Sequence, residues 1–308
     1  VSAQPPLVCF GNLTLDDLVP CDAPPRAHCI GGDALYGVLA ARFFEPHAEM
    51  VAPVGCDFPA DIRARIDRAG LSADGLPQRT CPSIRTRIIY RTPDDRTVTL
   101  LSDPADFDRL SPSPCDVPEP YWQARAFMIL AMTLDAQNAL LTACRARTNS
   151  LIALDPQEEY IAGNEAAVLN IAARADIFMP SLAEVKLLLR HDNAPQAARF
   201  FAAQGPRIVV IKMGAEGCLV YDARSGRMFI QPGFPARPVD TTGSGDAFCS
   251  AFMASLVRSP DSLTDAAARG TVAASFALSD YGAEGLFGVA RERVEERCGA
   301  ILAHRWVE

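Results

Sequence analysis

Short apolar runs alternate with stretches of helical spacing along most of this chain. Leu7-Val8-Cys9-Phe10 is an unbroken apolar run stopped by Gly11-Asn12, which predicts a buried strand entering a turn. Over 34–44, Leu35, Val38, Leu39 and Phe43 recur at helical spacing. Residues 50–54 predict a second strand. Residues 61–69 predict a helix with Ile62 and Ile66 on one face and Gly70 at its end. The alternation resumes after residue 125, with strands predicted over 126–130, 150–154, 177–179 and 208–211. Helices are predicted between them over 136–147, 164–174 and 182–190. Residues 218–221 and 228–230 read as a hairpin, and helices over 246–258, 263–280 and 290–303 close the chain. This order predicts an α/β fold, a doubly wound, mostly parallel sheet with helices on both faces. Ligands are then expected at the carboxyl ends of the strands.

Residues 83–103 follow another rule. Arg85, Arg87 and Arg91 interleave with Ile84, Ile88, Ile89 and Tyr90, and Thr97-Val98-Thr99-Leu100 follows Pro93-Asp94-Asp95. Two half-exposed strands joined by a turn are predicted. The three arginines have the chemistry to hold a substrate carboxylate or phosphate, or to form the wet face of an exposed sheet. The four prolines of 111–120 mark a connector.

Composition narrows the class. The chain has 308 residues, 49% hydrophobic and 21% charged, enough for one large α/β domain or two ordinary ones. Its formal net charge of -8 argues against nucleic-acid binding, which needs a basic footprint. No apolar run approaches the roughly 18 residues of a membrane helix, and no basic-then-apolar signal opens the sequence. The ten cysteines are scattered without C-x-x-C spacing, and several lie in apolar runs. A cytoplasmic enzyme with reduced core cysteines is expected, without disulfides or a cysteine-bound metal.

The chemistry concentrates in Asp240-Thr241-Thr242-Gly243-Ser244-Gly245-Asp246-Ala247-Phe248. Two glycines allow a tight turn, and a helix with Phe248, Ala251, Phe252 and Leu256 on one stripe follows at once. Such a helix start presents unpaired N–H groups to anionic oxygen. Asp246 in the same turn is placed to take a proton from a hydroxyl, or simply to cap the helix. The nonapeptide resembles the C-terminal signature of the ribokinase-like (PfkB-type) carbohydrate kinases, with Ser244 in the usual alanine position.

The resemblance covers nearly the whole chain. It implies one ribokinase-like kinase domain over 1–308, with a small β lid from about 13–30 and 83–110. It implies that Asp246 is the catalytic base and that Gly243, Ser244 and Gly245 form the anion hole. Gly11-Asn12-Leu13-Thr14-Leu15-Asp16 resembles the opening segment whose aspartate grips sugar hydroxyls, with Asp17 as a neighbouring alternative to Asp16. Gly31-Gly32-Asp33 resembles the double glycine that approaches the substrate; Tyr36 stands where the family usually has asparagine. Val54-Gly55-Cys56-Asp57 resembles a Val-Gly-x-Asp turn.

Pro180-Ser181-Leu182-Ala183-Glu184 resembles the Asn-x-x-Glu motif that organises Mg²⁺ and phosphates, with Ser181 replacing the asparagine. The same residues also read as a capping box. The resemblance places Ser181, Lys212, Gly214, Glu216, Gly217 and Thr241 around ATP, and Glu184 behind Mg²⁺. It sets Gly270-Thr271 beside the adenine or its ribose. Asp240 and Thr242 match positions that supply oxygen to a monovalent cation such as K⁺. The implied activity is transfer of the γ-phosphoryl group of ATP to a hydroxyl of a sugar or sugar derivative. A purine nucleoside kinase and a non-catalytic sugar- or nucleotide-binding regulator are the alternatives. Related enzymes often dimerise through their lids.

Overall fold

The computed structural model describes residues 4–92 and 95–303. Its first strands are β1 (Leu7–Phe10), β2 (Thr14–Val19), β3 (Arg26–Gly31), β4 (Glu49–Val51), β5 (Ile84–Thr92) and β6 (Asp95–Leu100). β7 (Ala126–Ile129), β8 (Leu151–Leu154), β9 (Ile177–Phe178), β10 (Ile208–Lys212), β11 (Cys218–Asp222) and β12 (Arg227–Gln231) follow. The helices are α1 (Asp33–Ala41), α2 (Ala60–Arg68), α3 (Pro104–Leu110), α4 (Leu134–Arg147), α5 (Glu165–Ala172), α6 (Leu182–Leu189) and α7 (Ala194–Gln204). α8 (Ser244–Arg258), α9 (Leu263–Ala277) and α10 (Arg291–Ala303) complete the set.

Eight strands form one sheet in the order β12-β11-β10-β9-β8-β7-β1-β4. β4, β1, β7, β8, β9 and β10 are parallel, and β11 and β12 add an antiparallel edge. The strict alternation of side chains along each strand sorts the core into two layers. Leu7, Cys9, Met128, Ile177 and Val210 pack beneath α1, α8 and α9. Val8, Phe10, Phe127, Ile129, Phe178 and Ile211 pack against α4, α5, α6 and α7. The doubly wound arrangement read from the sequence is therefore the fold.

The second sheet has four strands in the order β3-β2-β5-β6, with β2 and β5 parallel. Ile84, Thr86, Ile88 and Tyr90 of β5 face inward, while Arg87, Ile89 and Arg91 are exposed. This sheet stands over the carboxyl ends of the large one. Tyr90 and Arg96 both reach the loop that precedes α8.

Two local expectations change. The strand expected over 50–54 ends at Val51, because Ala52 and Val54 donate their N–H groups to the carbonyls of Gly75 and Pro77, and Pro53 has no N–H to donate. Helix α7 was not legible in the hydrophobic pattern. Its buried stripe is mostly alanine, with Ala197, Ala198 and Phe201 facing the core. Its start is chemically marked all the same: the Asn193 side chain accepts from the Gln196 N–H.

α8 is buried along nearly its whole length, and Phe252 is fully enclosed. Phe252→Ala should lower unfolding free energy by about 3–5 kcal/mol through lost burial plus a cavity. Urea melts of the two proteins measure this; a difference below about 1 kcal/mol would show that α8 is not seated as described.

Candidate active site

The site is built where β1, β8, β9 and β10 end, beneath the small sheet. β2 turns its two aspartates to opposite faces. Asp16 is buried and accepts from the Thr86 hydroxyl at 2.6 Å. Asp17 faces outward toward Arg87 at 3.5 Å. Of the pair, Asp16 is thus the one turned into the site. Burial pushes its carboxyl up to about 6, against the hydrogen bonds from Thr86 and Thr14.

The double glycine is a packing requirement. Gly32 adopts φ +101, and a Cβ there would lie 2.4 Å from the Asn12 carbonyl oxygen. A Cβ on Gly31 would lie 2.2 Å from Asp16 Oδ2. Bare backbone therefore lets the carboxylate lie against it. Asp33 opens α1, and burial together with the nearby Asp246 carboxylate holds its pKa well above the usual range.

α8 begins at the signature loop. Gly243 precedes it with φ +73, and a Cβ there would strike the Tyr36 ring at 2.2 Å. The tyrosine ring thus lies directly against the backbone of the glycine loop. The Tyr36 hydroxyl is buried and has no hydrogen-bond partner among the described residues. Asp240 is fully buried and accepts from the N–H groups of Thr242 at 2.8 Å and Gly282 at 3.0 Å. The Ser244 hydroxyl donates to the Thr241 carbonyl at 2.9 Å. Asp246 sits half-buried in the first turn of α8. Burial pushes its carboxyl up to about 7, and the Asp155 carboxylate adds to this while the Lys212 ammonium opposes it.

Lys212 ends β10 and points at the same loop. Its Nζ would lie 3.5 Å from a Cβ on Gly245. It forms an enclosed ion pair with both oxygens of Asp155, at 2.5 and 2.6 Å. Burial works against this ammonium, but the carboxylate facing it holds the pKa above the ordinary lysine value. Lysine snorkelling to solvent is thereby replaced by a fixed positive charge. Ser181 and Glu184 form the expected capping box at the start of α6, each accepting from the other's N–H. Glu184 is buried near Lys212 and Asp155, and burial pushes it up to about 7.

A cavity of about 330 Å³ adjoins these groups. Lys212, Gly214, Gly217, Thr241, Ser244 and Gly245 form its polar side. Phe234, Phe248, Ala274 and Leu278 form its apolar side, and Thr271 lies beside them. Glu216 is exposed, and neither it nor Ser181 lines this cavity. The three arginines singled out in the small sheet are committed elsewhere: Arg85 to Asp57, Arg87 to Asp17 and Arg91 to Asp95. Arg96, Tyr90 and Asp155 were not singled out. Asp155 directly follows the strand predicted over 150–154, and Arg96 falls between Asp95 and Thr97 in the small-sheet segment, with no motif to mark either.

Comparison with known proteins decides the family. The model of the pfkB family carbohydrate kinases matches residues 31–286, more than half of the chain. The chain belongs to that family. This kinase is 29% identical over 261 residues to a cytidine kinase of Thermococcus kodakarensis, covering 82% of the chain and 88% of that relative. A candidate ribokinase II of E. coli, solved with ATP and Mg²⁺, shares the fold with a TM-score of 0.78 at 21% identity, over 96% of this chain and 99% of that one. A fructokinase of Vibrio cholerae, solved with fructose, ADP and potassium ion, gives a TM-score of 0.76 at 19% identity, over 93% and 96% of the two chains. The protein is thus an ATP-dependent kinase of ribokinase-like fold. No helix among the described residues is long and apolar enough to cross a membrane.

Lys212→Met strands a buried carboxylate at Asp155 and should cost about 3–5 kcal/mol of stability. Lys212→Met combined with Asp155→Asn should recover much of that loss. Thermal or urea unfolding of the single and double variants reads both. Equal destabilisation in the two would mean that the pair is not energetically coupled.

Proposed function

We propose that this kinase transfers the γ-phosphoryl group of ATP to a primary alcohol of a sugar or sugar derivative. The observation that carries the reading is the placement of Asp246. One carboxylate, held near neutrality, stands in the first turn of α8, next to Ser244 and Gly245, which line the cavity, and close enough to Asp33 of α1 for the two carboxyls to interact. In this reading the acceptor hydroxyl lies against Asp246, which orients it and takes its proton as the new O–P bond forms. The N–H groups of Gly243, Ser244 and Gly245 hold the charge that builds on the phosphoryl oxygens. Asp16, Gly31, Gly32 and Asp33 face the acceptor, and the Tyr36 hydroxyl is a further partner for it.

Lys212, Gly214, Gly217 and Thr241 hold ATP, while Ser181 and Glu216 act from outside the cavity. Mg²⁺, which keeps several waters and joins phosphate oxygens to few protein ligands, neutralises the triphosphate when bound. Glu184, buried beside Lys212, fits as the carboxylate behind it. The potassium in the Vibrio cholerae fructokinase supports a monovalent cation at Asp240 and Thr242 here. Dependence on ATP supports a cytoplasmic setting. Exposed Ile89, Val98, Leu100 and Leu101 support a second copy docking on the small sheet, which serves as the lid of one kinase domain.

The likeness to a cytidine kinase favours one second acceptor class, the ribose hydroxyl of a nucleoside. The kinase names of the relatives do not favour the non-catalytic regulator, and none of those reported points to a purine nucleoside.

ATP consumption with Mg²⁺ against ribose, fructose, 2-keto-3-deoxygluconate, inositols, cytidine, adenosine, inosine and guanosine names the acceptor. Asp246→Asn should cut kcat by about 10²–10⁴-fold with the fold intact; near-normal turnover would remove Asp246 as base. The base works only when ionised, so kcat should fall as pH drops through about 7. Asp155→Asn removes the negative charge that raises the Asp246 carboxyl and leaves the Lys212 ammonium facing it, so that acid limb should move to lower pH. A pH–rate profile of each protein measures the shift; an unmoved or upward-moved limb would contradict the coupling.

A further inference from the structure

A second cavity lies at the far end of the helices that build the site. Its volume is about 670 Å³, against about 330 Å³ for the cavity beside the signature loop. Arg258 and Ser259, which line it, end α8, whose first turn carries Asp246. Phe43 and Phe44, which also line it, follow α1, whose first residue is Asp33. At about 1.5 Å of rise per residue, the 15 residues of α8 set this cavity roughly 20 Å from the signature loop. α9 touches both cavities. Arg269 in its first half lines the distal one, while Ala274 and Ser275 in its second half line the one beside the loop.

The chain as a whole is acidic, with a formal net charge of -8, yet this cavity has a basic wall. Among the described residues, Arg42, Arg258, Arg269 and Arg291 line it, against the carboxylates of Asp265 and Glu295. Two of the arginines are spent on carboxylates: Arg42 on Glu49 at 2.9 Å and Arg291 on Glu295 at 2.7 Å. The other two are bonded to neutral oxygens. Arg258 donates to the Phe44 carbonyl at 3.0 Å, and Arg269 donates to the Ser255 hydroxyl at 3.2 Å while its guanidinium lies over the Phe44 ring. Neither forms a carboxylate pair among the described residues. Two like charges gathered on one phenylalanine repel unless an anion joins them. Phe43, Val289 and Val294 give the same cavity an apolar wall. A few convergent charges beside an apolar surface are the usual make-up of a small-molecule site.

We propose that this cavity is an effector site for a nucleoside monophosphate, its phosphate joining Arg258 to Arg269 and its base lying on the apolar wall. Guanidinium forks match phosphate oxygens two at a time. A phosphate monoester carries a charge of about -1.5 to -2 at neutral pH, enough to neutralise two guanidiniums. Inorganic phosphate would leave the apolar wall bare, and a sugar phosphate would press hydroxyls against it. A flat base covers it. The bound phosphate ties the end of α8 to the first half of α9. The start of α8 carries the glycine loop, and the second half of α9 lines the nucleotide cavity. Rigid packed helices carry such a change between sites, so occupancy of the distal cavity alters ATP binding. The proposal adds a regulatory site to the kinase and does not depend on which acceptor is phosphorylated.

Calorimetric titration of the whole protein, presaturated with Mg²⁺-AMP-PNP, tests it with AMP, CMP, GMP and UMP as probes. At least one should bind with a Kd of about 0.1 mM or tighter, and about tenfold tighter than its parent nucleoside or inorganic phosphate. Arg258→Gln combined with Arg269→Gln should weaken that binding by about tenfold or more. So should Ser259→Glu, which sets a negative charge on the exposed rim of the cavity. Affinity for Mg²⁺-AMP-PNP alone should stay within about threefold in both proteins. In the wild type the monophosphate should change the Kd of Mg²⁺-AMP-PNP by about threefold or more, and Mg²⁺-AMP-PNP should change that of the monophosphate by the same factor.

Weaker binding of all four probes than that would overturn the proposal. Binding that survives both variants would overturn it too, by seating the monophosphate in the active site. Inorganic phosphate held as tightly as the best monophosphate would overturn the nucleotide class. Binding that shifts the Kd of Mg²⁺-AMP-PNP by less than about threefold would overturn the effector role. If the double variant fails to fold, Ser259→Glu carries the readout. Failure of the wild type to turn over any acceptor would count against the kinase reading alone, because every readout here is a binding constant.

Discussion

A fully buried carboxylate and two backbone N–H groups hold the loop ahead of α8. Asp240 accepts from Thr242 and from Gly282, and so ties the loop to the segment that follows α9. Gly243 then turns with positive φ, flattened against the Tyr36 ring where no side chain fits. From that fixed point the first N–H groups of α8 and the carboxylate of Asp246 take their directions. The Tyr36 ring, the cavity lined by Lys212 and Thr241, and the Tyr90 and Arg96 contacts from the small sheet all meet this one loop. An anion hole works by donors that need no reorganisation at the moment of reaction, and this bracing suits the loop to the role proposed for it.

Charge is the second constraint. The site gathers more carboxylates than cations, and burial raises the pKa of Asp16, Asp33, Glu184 and Asp246 alike. The enclosed Lys212–Asp155 pair sets a permanent positive charge on one side of the loop. Arg96 adds another from the small sheet, hydrogen-bonded to the Thr241 hydroxyl. This division explains why a kinase with so acidic an interior takes in a polyanion.

Much of this was legible in the sequence, for physical reasons that differ by element. Parallel strands buried on both faces read as short apolar runs, so β1, β7, β8 and β10 stood out. The signature 240–248 was legible because a positive φ and a close approach leave few residue choices at Gly243. Helix α7 was not, since alanine burial leaves little hydrophobic contrast. Arg96 and Asp155 were not either. Their roles come from the meeting of segments far apart in the chain, β6 with the loop before α8 and β8 with β10. That Asp16 is buried and Asp17 faces Arg87 depends on the face of the strand, which only the sheet pairing supplies.

The central claim is that the start of α8 receives the phosphoryl group with Asp246 against the acceptor. A crystal structure with Mg²⁺-AMP-PNP and the turned-over acceptor tests it most directly. The account predicts γ-phosphate oxygens within hydrogen-bond distance of the Gly243–Gly245 N–H groups and an acceptor hydroxyl beside the Asp246 carboxylate. A triphosphate seated away from that loop, or an acceptor whose hydroxyls all lie out of reach of Asp246, would contradict it.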